Sequence, residues 1–432
     1  MGIGPTPRRI LVAGSGAREH ALAWACARRH SDLQVTCAPG NGGTASFATN
    51  VAVAADDPQA IVHLAREVHA GLVIIGPDMA LAAGVADACR EARIAVFGPS
   101  AAAARIESSK AFAKQLMDSA GIPTARWRAG GADDRAALHA FIDELHGHCV
   151  VKADGLALGK GVVVCDDKAQ ARAAVTACLD QHRFGSAGDL VLIEERLSGA
   201  EVSVQALVDG SSIRLLPPAR DYKRSGDGDT GPNTGGMGAV TPPPALSDDV
   251  LGRVERDVLR PCIDALAAAG TPFSGCLYAG LMLTADSPRV LEFNARFGDP
   301  ETQVILPVID EDVLELLTAC AVGGLVPGRV RRGSDSCAVG IVLAASGYPG
   351  TPRRGDVISG LNTLDPGILA FHAGTQRSGD RLITDGGRVI TLVARGGSVD
   401  AARQRAYRAV TSVHFDGMQH RTDIGLDTTV MA

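Results

Sequence analysis

Over residues 8–108, short runs of β-branched and other apolar residues alternate with alanine-rich stretches of helical pattern. The expected strands are 10–12, 35–37, 51–53, 72–75 and 95–97, and the stretches between them, such as 17–29, are expected to be helices. Strands that alternate with crossover helices lie parallel to one another. The first unit, residues 1–108, is therefore predicted to be α/β, with a doubly wound, Rossmann-like parallel sheet.

Two further units follow. Residues 109–328 mix helices with predicted strands at 149–152, 161–164, 190–194, 201–208, 277–283 and 289–293, which predicts an α+β unit. Within it, the glycine-rich stretch 221–244 is too long for a simple connection and is interpreted as a binding loop. Residues 329–432 contain strands at 338–344 and 389–394 and a helix at 401–412, which predicts a small α+β unit.

Bulk properties exclude several classes of protein. A net charge of -6 over 432 residues leaves no general basic surface for nucleic acid. No apolar run approaches the roughly 20 residues that span a bilayer. Ten cysteines without a C-x-x-C pair indicate neither a zinc site nor a disulfide framework. We therefore expect a cytoplasmic monomer that acts on small molecules, with neither nucleic acid nor membrane as a partner.

The segment 14–20 follows a strand and opens a helix, so that backbone N–H groups of its glycines can approach an anion. Glu19 stands where a dinucleotide fingerprint has its third glycine, and no acidic residue ends the second strand. The pattern favours a phosphate or another small substrate over NAD. A tight strand–helix turn without a ligand is the alternative.

The segment 152–161 places Lys152 and Lys160 near the two ends of a glycine loop between strands. Such a loop can close over a triphosphate, although it lacks the spacing of a Walker loop. A nucleotide lid is predicted, with an ordinary hairpin tip as the alternative. In the next strand, Glu194 and Glu195 can hold an adenosine, but a glutamate pair is also common on a solvated edge.

Glu292 and Asn294 are separated by one residue of a predicted strand, so both oxygen ligands lie on the same face. Such hard oxygen ligands suit a Mg²⁺ ion that bridges phosphates. The polar turn 296–302 follows directly, and an ordinary loop is the less favoured interpretation.

Together, these motifs resemble the phosphoribosylamine–glycine ligase family of purine biosynthesis over nearly the whole chain. The matching segments occur in the family's order at 14–20, 38–41, 109–112, 152–161, 229–238, 278–281 and 292–303. The resemblance implies an N-terminal pre-ATP-grasp domain, a split ATP-grasp domain and a C-terminal domain around one cleft. It also implies that ATP phosphorylates the carboxylate of glycine and that the amine of 5-phosphoribosylamine then attacks the acyl phosphate.

The resemblance assigns roles position by position. Catalytic roles fall on Arg296, Asp299 and Lys152, and Glu292 with Asn294 would bind Mg²⁺ or Mn²⁺. The residues implied to bind ATP are Lys110, Lys152, Gly159, Lys160, Gly161, Glu194, Glu195, Leu197 and Glu201. The residues implied to bind the other substrates are Gly14, Gly16, Arg18, Asn41, Asp78, Asp221, Lys223, Asn233, Thr234, Gly235 and Arg296.

Some positions depart from the family's usual pattern, and they fall on segments expected to face the amino acid or the amine. They are Ala17, Asp78 and Met79, Ala200, Arg220 and Tyr222. Two alternatives therefore stay open: a paralogue that couples another amino acid or amine, and a non-catalytic ATP-binding regulator. The presence of Lys152, Lys160, Glu292 and Asn294 disfavours the regulator, because a protein that only binds ATP needs no clamp of metal and phosphate.

Overall fold

The computed structural model describes residues 6–155, 161–244 and 246–426. The first unit contains a five-stranded, all-parallel sheet of order β3-β2-β1-β4-β5. Its elements are β1 (Arg9–Gly14), α1 (Ala17–Ala27), β2 (Gln34–Pro39), β3 (Thr49–Asn50), α2 (Pro58–Glu67), β4 (Leu72–Ile75), α3 (Asp78–Ala82), α4 (Val85–Glu91), β5 (Val96–Phe97) and α5 (Ala101–Ser108). The doubly wound parallel sheet is confirmed, but the third strand is the polar pair 49–50 and not the predicted run 51–53.

The next elements form a four-stranded antiparallel sheet of order β6-β9-β7-β8, with two helices packed on it. They are α6 (Lys110–Ser119), β6 (Trp127–Gly130), α7 (Arg135–Glu144), β7 (Cys149–Ala153), β8 (Val162–Cys165), α8 (Lys168–Leu179) and β9 (Val191–Glu195). Helix α6 begins where the Ser109 side chain accepts a hydrogen bond from the backbone N–H of Phe112. This cap fixes the position of Lys110 at the first turn.

A second five-stranded sheet has the order β17-β16-β10-β11-β18. The elements of this part of the chain are β10 (Ala200–Asp209), β11 (Ile213–Leu215), β12 (Arg220–Asp221), β13 (Arg224–Gly226), β14 (Thr230–Asn233), β15 (Gly238–Thr241), α9 (Asp248–Val254), α10 (Arg260–Ala268), β16 (Ser274–Leu283), β17 (Pro288–Asn294), α11 (Glu301–Val308), α12 (Val313–Val322) and β18 (Gly328–Arg329). The predicted binding loop 221–244 is thus a hairpin of β13 and β14 set between β12 and β15.

The remaining elements are β19 (Cys337–Ala344), β20 (Ile368–His372), β21 (Thr375–Ser378), β22 (Arg381–Thr384), β23 (Arg388–Gly396) and α13 (Val399–Val410). Their main sheet has the order β12-β15-β19-β23-β20, with Val240 of β15 opposite Val339 of β19. Two strands that precede residue 328 therefore belong to a sheet whose other strands follow it. The domain boundaries near residues 108 and 328 stay predictions.

Shared hydrophobic cores hold the units together. One core joins Val73 of the parallel sheet to Val204 and Phe293 of the second sheet, and another joins Leu22 of α1 to Val393 of the last sheet. This packing brings the ends of β1 and β4, the edge strand β17 and the β13–β14 hairpin around one cleft. Within the described residues, no helix combines the length and the apolar character needed to cross a membrane.

Candidate active site

A cleft of about 780 Å³ lies between these units. The residues predicted from sequence that line it are Arg18, Asp78, Lys110, Lys152, Gly161, Glu194, Glu195, Leu197, Glu201, Asp221, Lys223, Asn233, Thr234, Gly235, Glu292, Asn294, Arg296 and Asp299. The strand that carries the predicted metal ligands and both ends of the predicted lid therefore face one cavity. Gly159 and Lys160, inside that lid, lie outside the described residues.

Two lysines hold Glu194 on one wall of the cleft. Glu194 Oε2 accepts a hydrogen bond from Lys114 Nζ at 3.0 Å, and Glu194 Oε1 forms an ion pair with Lys152 Nζ at 2.7 Å. All three side chains are buried. Burial opposes the charge of Glu194, but Lys152 and Lys114 outweigh it and lower its pKa. Burial lowers the pKa of Lys114 to about 8, against the attraction of Glu194. The triad keeps an excess positive charge, which favours an anionic ligand.

Lys110 lies where the predicted lid begins. Its Nζ donates to the carbonyl oxygens of Asp154 at 3.3 Å and Gly155 at 3.1 Å. The carboxylate of Asp154 in turn accepts from the backbone N–H of Ala111 at 2.6 Å. A cation is thereby fixed against the backbone from which the lid extends.

Glu292 and Asn294 lie on β17, where both side chains reach the cleft. Burial alone would raise the pKa of Glu292, but Lys223, Lys152 and Lys110 together lower it to about 2. Lys223 Nζ lies 3.6 Å from Glu292 Oε1 and also forms an ion pair with Glu201. Glu292 is therefore an ionised carboxylate among cations.

The two predicted metal ligands, Glu292 and Asn294, suit a Mg²⁺ site that is completed by water and by another bound group. Among residues 6–155, 161–244 and 246–426, no group of three or more His, Cys, Asp or Glu side chains is arranged to hold a metal ion. A Mg²⁺ ion usually binds to one or two carboxylates and completes its shell with water and phosphate oxygens. One carboxylate and one amide oxygen fit an ion that is shared with a phosphate.

Arg296 is held from the N-terminal unit by Glu107. The carboxylate of Glu107 accepts from the backbone N–H of Ala295 at 2.7 Å and pairs with Arg296 Nη2 at 2.9 Å. A weaker bond of 3.4 Å joins Arg296 Nη2 to Asn294 Oδ1. The buried Nε of Arg296 has no acceptor within the described part of the chain. Arg296 is therefore oriented by protein groups, and it lines the cleft.

Asp299 is tied to the C-terminal sheet through Arg388 of β23. Arg388 Nη1 donates to the carbonyl oxygen of Asp299 at 2.9 Å, lies 3.3 Å from its Oδ1, and also donates to the carbonyl of Gly235. Burial would raise the pKa of Asp299, but the positive charges of Arg388 and Arg18 lower it. The Asp299 carboxylate is thus ionised, and one arginine fixes it to the loop that carries Gly235.

Asp221 differs from Glu292 and Asp299, whose pKa values are lowered. Burial, reinforced by the charge of Glu301, raises its pKa well above the ordinary value. Its buried Oδ1 has no hydrogen-bond partner among the residues that the structure describes. Glu301 itself accepts from Ser203 Oγ at 3.0 Å. Burial therefore favours the protonated form of Asp221 over its ionised form.

The N-terminal glycine loop is occupied by the chain's own carboxylate. Glu19 Oε2 accepts from the backbone N–H of Gly16 at 2.7 Å, and Glu19 Oε1 pairs with Arg18 Nε at 2.6 Å. Gly14 has φ +129°, and a Cβ there would lie 2.4 Å from Glu19 Cγ, so the glycine makes room for this side chain. Arg18 lines the cleft, whereas Gly14 and Gly16 lie behind it. Their role in substrate binding stays a prediction.

Asn41 does not line the cleft, and its side chain forms hydrogen bonds within the protein. Its Nδ2 donates to the carbonyl oxygens of Ser15 at 2.8 Å and His372 at 2.7 Å, and its Oδ1 accepts from the N–H groups of Gly43 and Thr44. This side chain links two loops of the first unit to the last unit. Its predicted substrate contact is untested.

The departures from the family's pattern separate into two groups. Asp78 and Arg220 line the cleft. Ala17 is buried in α1, Met79 is 47% exposed, and Ala200 pairs with Leu283 at the start of β10. The ring of Tyr222 is buried between the guanidinium groups of Arg220 and Arg421. Only some of these changes can therefore act on a substrate directly.

Sequence reasoning assigned no role to several residues that shape the cleft, among them Glu107, Lys114, Glu301 and Arg388. Lys114 follows Lys110 by four residues on α6, and this spacing places both on one helix face, so a signal for Lys114 was present. Glu301 lies in the polar turn 296–302 that the sequence analysis singled out. Glu107 and Arg388 act through partners that are distant in sequence.

This chain is similar to known proteins over nearly its whole length. The family models described as phosphoribosylglycinamide synthetase match residues 8–107 (N domain), 108–302 (ATP-grasp domain) and 338–427 (C domain). The phosphoribosylamine–glycine ligase of Streptomyces coelicolor is 50% identical over 425 residues, which are 96% of this chain and 98% of that protein. The crystal structure of the phosphoribosylamine–glycine ligase of Thermotoga maritima has a TM-score of 0.85 at 34% identity and covers 96% of this chain and 100% of that chain.

A more distant structure shares the fold. The biotin carboxylase domain of the 2-oxoglutarate carboxylase of Hydrogenobacter thermophilus, in complex with ADP, magnesium and bicarbonate, has a TM-score of 0.72 at 18% identity. It covers 96% of this chain and 92% of that chain. The relatives at higher identity carry the ligase name, so a paralogue with different substrates is not favoured. Because the three family domains match in order and the relatives align over nearly their whole length, the chain belongs to the phosphoribosylamine–glycine ligase family.

Proposed function

We propose that the protein uses ATP to join the carboxylate of glycine to the amine of 5-phosphoribosylamine. The products are glycinamide ribonucleotide, ADP and phosphate, and glycyl phosphate is the intermediate. The observation that carries the proposal is the meeting of Lys110, Lys152, Glu292, Asn294 and Arg296 in one cleft of a member of this family. The reaction places the protein in de novo purine biosynthesis.

The nucleotide site is proposed on the wall that carries the lysine triad. Lys110 and Lys152 would meet the phosphates, together with the lid residues Gly159, Lys160 and Gly161. Glu194, Glu195, Leu197 and Glu201 would hold the adenosine. Support comes from the excess positive charge around Glu194 and from the fixed position of Lys110.

Glu292 and Asn294 are proposed to hold a Mg²⁺ or Mn²⁺ ion. When bound, the ion would neutralise charge on the phosphoryl group that is transferred. The protein contributes an ionised Glu292 even in acidic solution, because three lysines and Arg296 hold its pKa at about 2. Which of the two ions supports the faster reaction is settled by exchanging one for the other in the assay.

Arg296 is proposed to bind the carboxylate of glycine. Glu107 holds the guanidinium group in place, and its buried Nε lacks an acceptor within the described part of the chain. A buried donor without a partner is costly, and a carboxylate oxygen would satisfy it. Asp299, which stays ionised beside Arg388 and Arg18, would accept a hydrogen bond from the attacking amine.

The remaining substrate contacts are proposed on the opposite wall. Arg18 with Gly14 and Gly16 would face the sugar phosphate, and Asn41 would support that loop. Asp78, Asp221, Lys223, Asn233, Thr234 and Gly235 would line the pocket of the two smaller substrates. Because an acyl phosphate hydrolyses in water, a lid that closes over the cleft would protect the intermediate.

We further propose a monomer that works in the cytoplasm, with domains at 1–108, 109–328 and 329–432. One chain supplies every cleft residue named above, which supports a monomer as the working unit. All ten cysteines are free thiols, as expected in a reducing compartment. Light scattering after size-exclusion chromatography measures the oligomeric state.

The activity test follows release of ADP and phosphate with freshly generated phosphoribosylamine while the amino acid is varied. Turnover that depends on glycine supports the proposal. Turnover with only another amino acid or amine identifies a paralogue, and no turnover with any pair identifies a regulator that binds ATP. The same assay with Arg296→Lys reports on the carboxylate contact, because lysine keeps the charge and loses the planar fork of donors.

A further inference from the structure

The β13–β14 hairpin is a wall of the cleft with little support from its own sheet. Within the described residues the two strands pair with each other alone, through Arg224 opposite Asn233 and Gly226 opposite Thr230. Residues 227–232 are exposed. A two-stranded hairpin by itself is at best marginally stable in water. Contacts from elsewhere must therefore hold it against the cleft.

The segment 421–425, which follows the last helix, supplies such contacts. The backbone N–H of Thr422 donates to Asp227 Oδ1 at 2.8 Å, and the hydroxyl of Thr422 donates to the same carboxylate. In the other direction, the N–H of Gly228 donates to Asp423 Oδ2 at 2.8 Å. This segment, which we call the C-terminal strap, thus donates hydrogen bonds to the tip of the hairpin and also accepts one from it.

Arg421 is the centre of the strap. Its side chain is 1% exposed, and its Nη1 donates to Asp229 Oδ1 at 2.8 Å and to the carbonyl oxygen of Arg224 at 3.1 Å. Its Nε and Nη2 donate to the two carboxylate oxygens of Asp423 at 2.7 and 2.6 Å. One planar guanidinium group therefore joins strand β13 and the turn of the hairpin to the strap.

Tyr222 provides the surface on which this arginine lies. The guanidinium carbon of Arg421 is 5.2 Å from the centre of the Tyr222 ring, and that of Arg220 is 4.8 Å away. The Tyr222 hydroxyl accepts from the N–H of Gly425 at 3.1 Å. Tyr222, one of the residues at which this chain departs from the family's pattern, is therefore part of the strap's anchor.

The hairpin leads directly into groups of the cleft. Asn233, Thr234 and Gly235 line it. The backbone N–H and the hydroxyl of Thr234 donate to the carbonyl oxygen of Lys223 at 2.7 and 2.9 Å. Lys223 pairs with Glu201 and lies 3.6 Å from Glu292. A displacement of the hairpin would therefore move the wall at Thr234, while the ion pair with Glu201 keeps Lys223 beside the predicted metal ligand.

We propose that Arg421 is a positioning residue for the ligase reaction. It acts through Asp229 and the carbonyl of Arg224 and holds the hairpin so that Asn233 to Gly235 meet the glycine and phosphoribosylamine side of the cleft. The inference rests on the proposed function for its kinetic consequence. The physical link from strap to hairpin exists independently of which substrates are used.

The test compares the full-length wild type with Arg421→Met, which keeps the length of the side chain and removes its donors. Arg421→Met is expected to raise KM for glycine or phosphoribosylamine roughly 10- to 100-fold, because the displaced hairpin no longer holds its contacts to these substrates. KM for ATP is expected to change less than about twofold. Amides of residues 224–235 are expected to exchange hydrogen faster in this variant without any substrate. Arg353→Met is the control for loss of an arginine that bridges two carboxylates, because Arg353 pairs with Asp356 and Asp416 of the last unit on the exposed surface.

Asp229→Asn is the second variant, since its exposed side chain tolerates the change, and it should shift the same KM in the same direction. The proposal would be overturned by any of three results. KM could rise equally for ATP and for the other substrates, the kinetics could match the wild type, or hydrogen exchange in the hairpin could be unchanged. If the wild type shows no turnover with glycine, the proposed function fails, and the exchange measurement still decides whether Arg421 orders the hairpin.

Discussion

The strongest pH dependence of stability is expected from two buried histidines that join the first unit to the last. His20 Nδ1 accepts a hydrogen bond from the backbone N–H of His372 at 3.0 Å, and the two ring centres are 5.5 Å apart. Burial, followed by the charge of His372, lowers the pKa of His20 to about 3. Burial, followed by the charge of Arg377, lowers the pKa of His372 to about 4. Both imidazoles are therefore neutral in the folded protein at pH 5.

The direction of the effect follows from proton binding. In the unfolded chain both groups titrate at the ordinary pKa of 6.5. Between pH 6.5 and about 4 the unfolded chain binds more protons than the folded one, so the free energy of unfolding falls as the pH falls. Since pH 5 lies about 1.5 pH units below 6.5, each histidine costs about 2 kcal/mol there, and the pair costs about 4 kcal/mol relative to pH 8.

The assay is urea unfolding at pH 8 and pH 5 of the wild type and of His372→Gln, in which glutamine can keep the bond to Thr375. We expect the variant to lose about 2 kcal/mol less than the wild type between the two pH values. Burial raises the pKa values of Glu107 and Asp221, which opposes the loss of stability at pH 5. This effect cancels when the wild type is compared with His372→Gln, because both proteins contain the two carboxyl groups. The exposed His182→Gln serves as the control. Equal losses in the wild type and in His372→Gln would refute the reasoning.

Three further predictions concern the cleft. Glu292→Ala removes a predicted metal ligand and is expected to abolish turnover, so wild-type rates of ADP release would contradict the metal assignment. Glu107→Gln keeps an acceptor for the N–H of Ala295 but removes the charge that orients Arg296, so KM for glycine should rise roughly tenfold with KM for ATP unchanged. An unchanged KM for glycine would exclude a positioning role for Glu107. Lys114→Met leaves the buried Glu194 with Lys152 alone and should lower the free energy of unfolding by about 3 kcal/mol and weaken ATP binding, as followed by urea unfolding and calorimetry. A loss below about 1 kcal/mol would show that Lys152 alone satisfies the carboxylate.

Local sequence patterns predicted most of the strands well. The run 72–75 is entirely apolar and forms β4, in which all four residues are buried. The run 51–53 was misplaced, because β3 is a two-residue edge strand, Thr49–Asn50, whose place depends on pairing with Thr36 and Cys37 and not on its own composition. This polar edge strand therefore escaped prediction, whereas the equally short edge strand β5, Val96–Phe97, was predicted from its apolar residues.

The cleft was predictable only in part for a related reason. Glu292, Asn294 and Arg296 fall within one short motif, and the spacing of Glu292 and Asn294 indicates a shared face of a strand. Glu107, by contrast, meets Arg296 only because α5 packs against β17 in the folded chain. Arg388 reaches Asp299 from the last sheet. Ion pairs that span such distances leave no mark in a local pattern.

Similar limits applied to the N-terminal glycine loop. Its residue types matched an anion site, and the structure fills the bonding position at Gly16 with the carboxylate of Glu19. A side chain three residues further along the helix can satisfy the same N–H that a ligand would use. The sequence is compatible with an anion site and with a turn that binds no ligand, and only the rotamer of Glu19 distinguishes the two.

The sheet that joins β12 and β15 to β19 has a consequence for biosynthesis. Val240 and its partner Val339 are separated by about 100 residues, which a ribosome adds in about 5 to 20 s. During that interval the nascent chain carries β15 with its β19-facing edge unpaired, a state in which strands associate readily with other chains. The hairpin that forms a wall of the cleft then waits for Arg421, which is added about 80 residues after Val339. The parallel sheet can fold early, but the catalytic cleft is assembled only after residue 421 has been added, and this makes residues 220–241 a part of the chain that needs protection by chaperones.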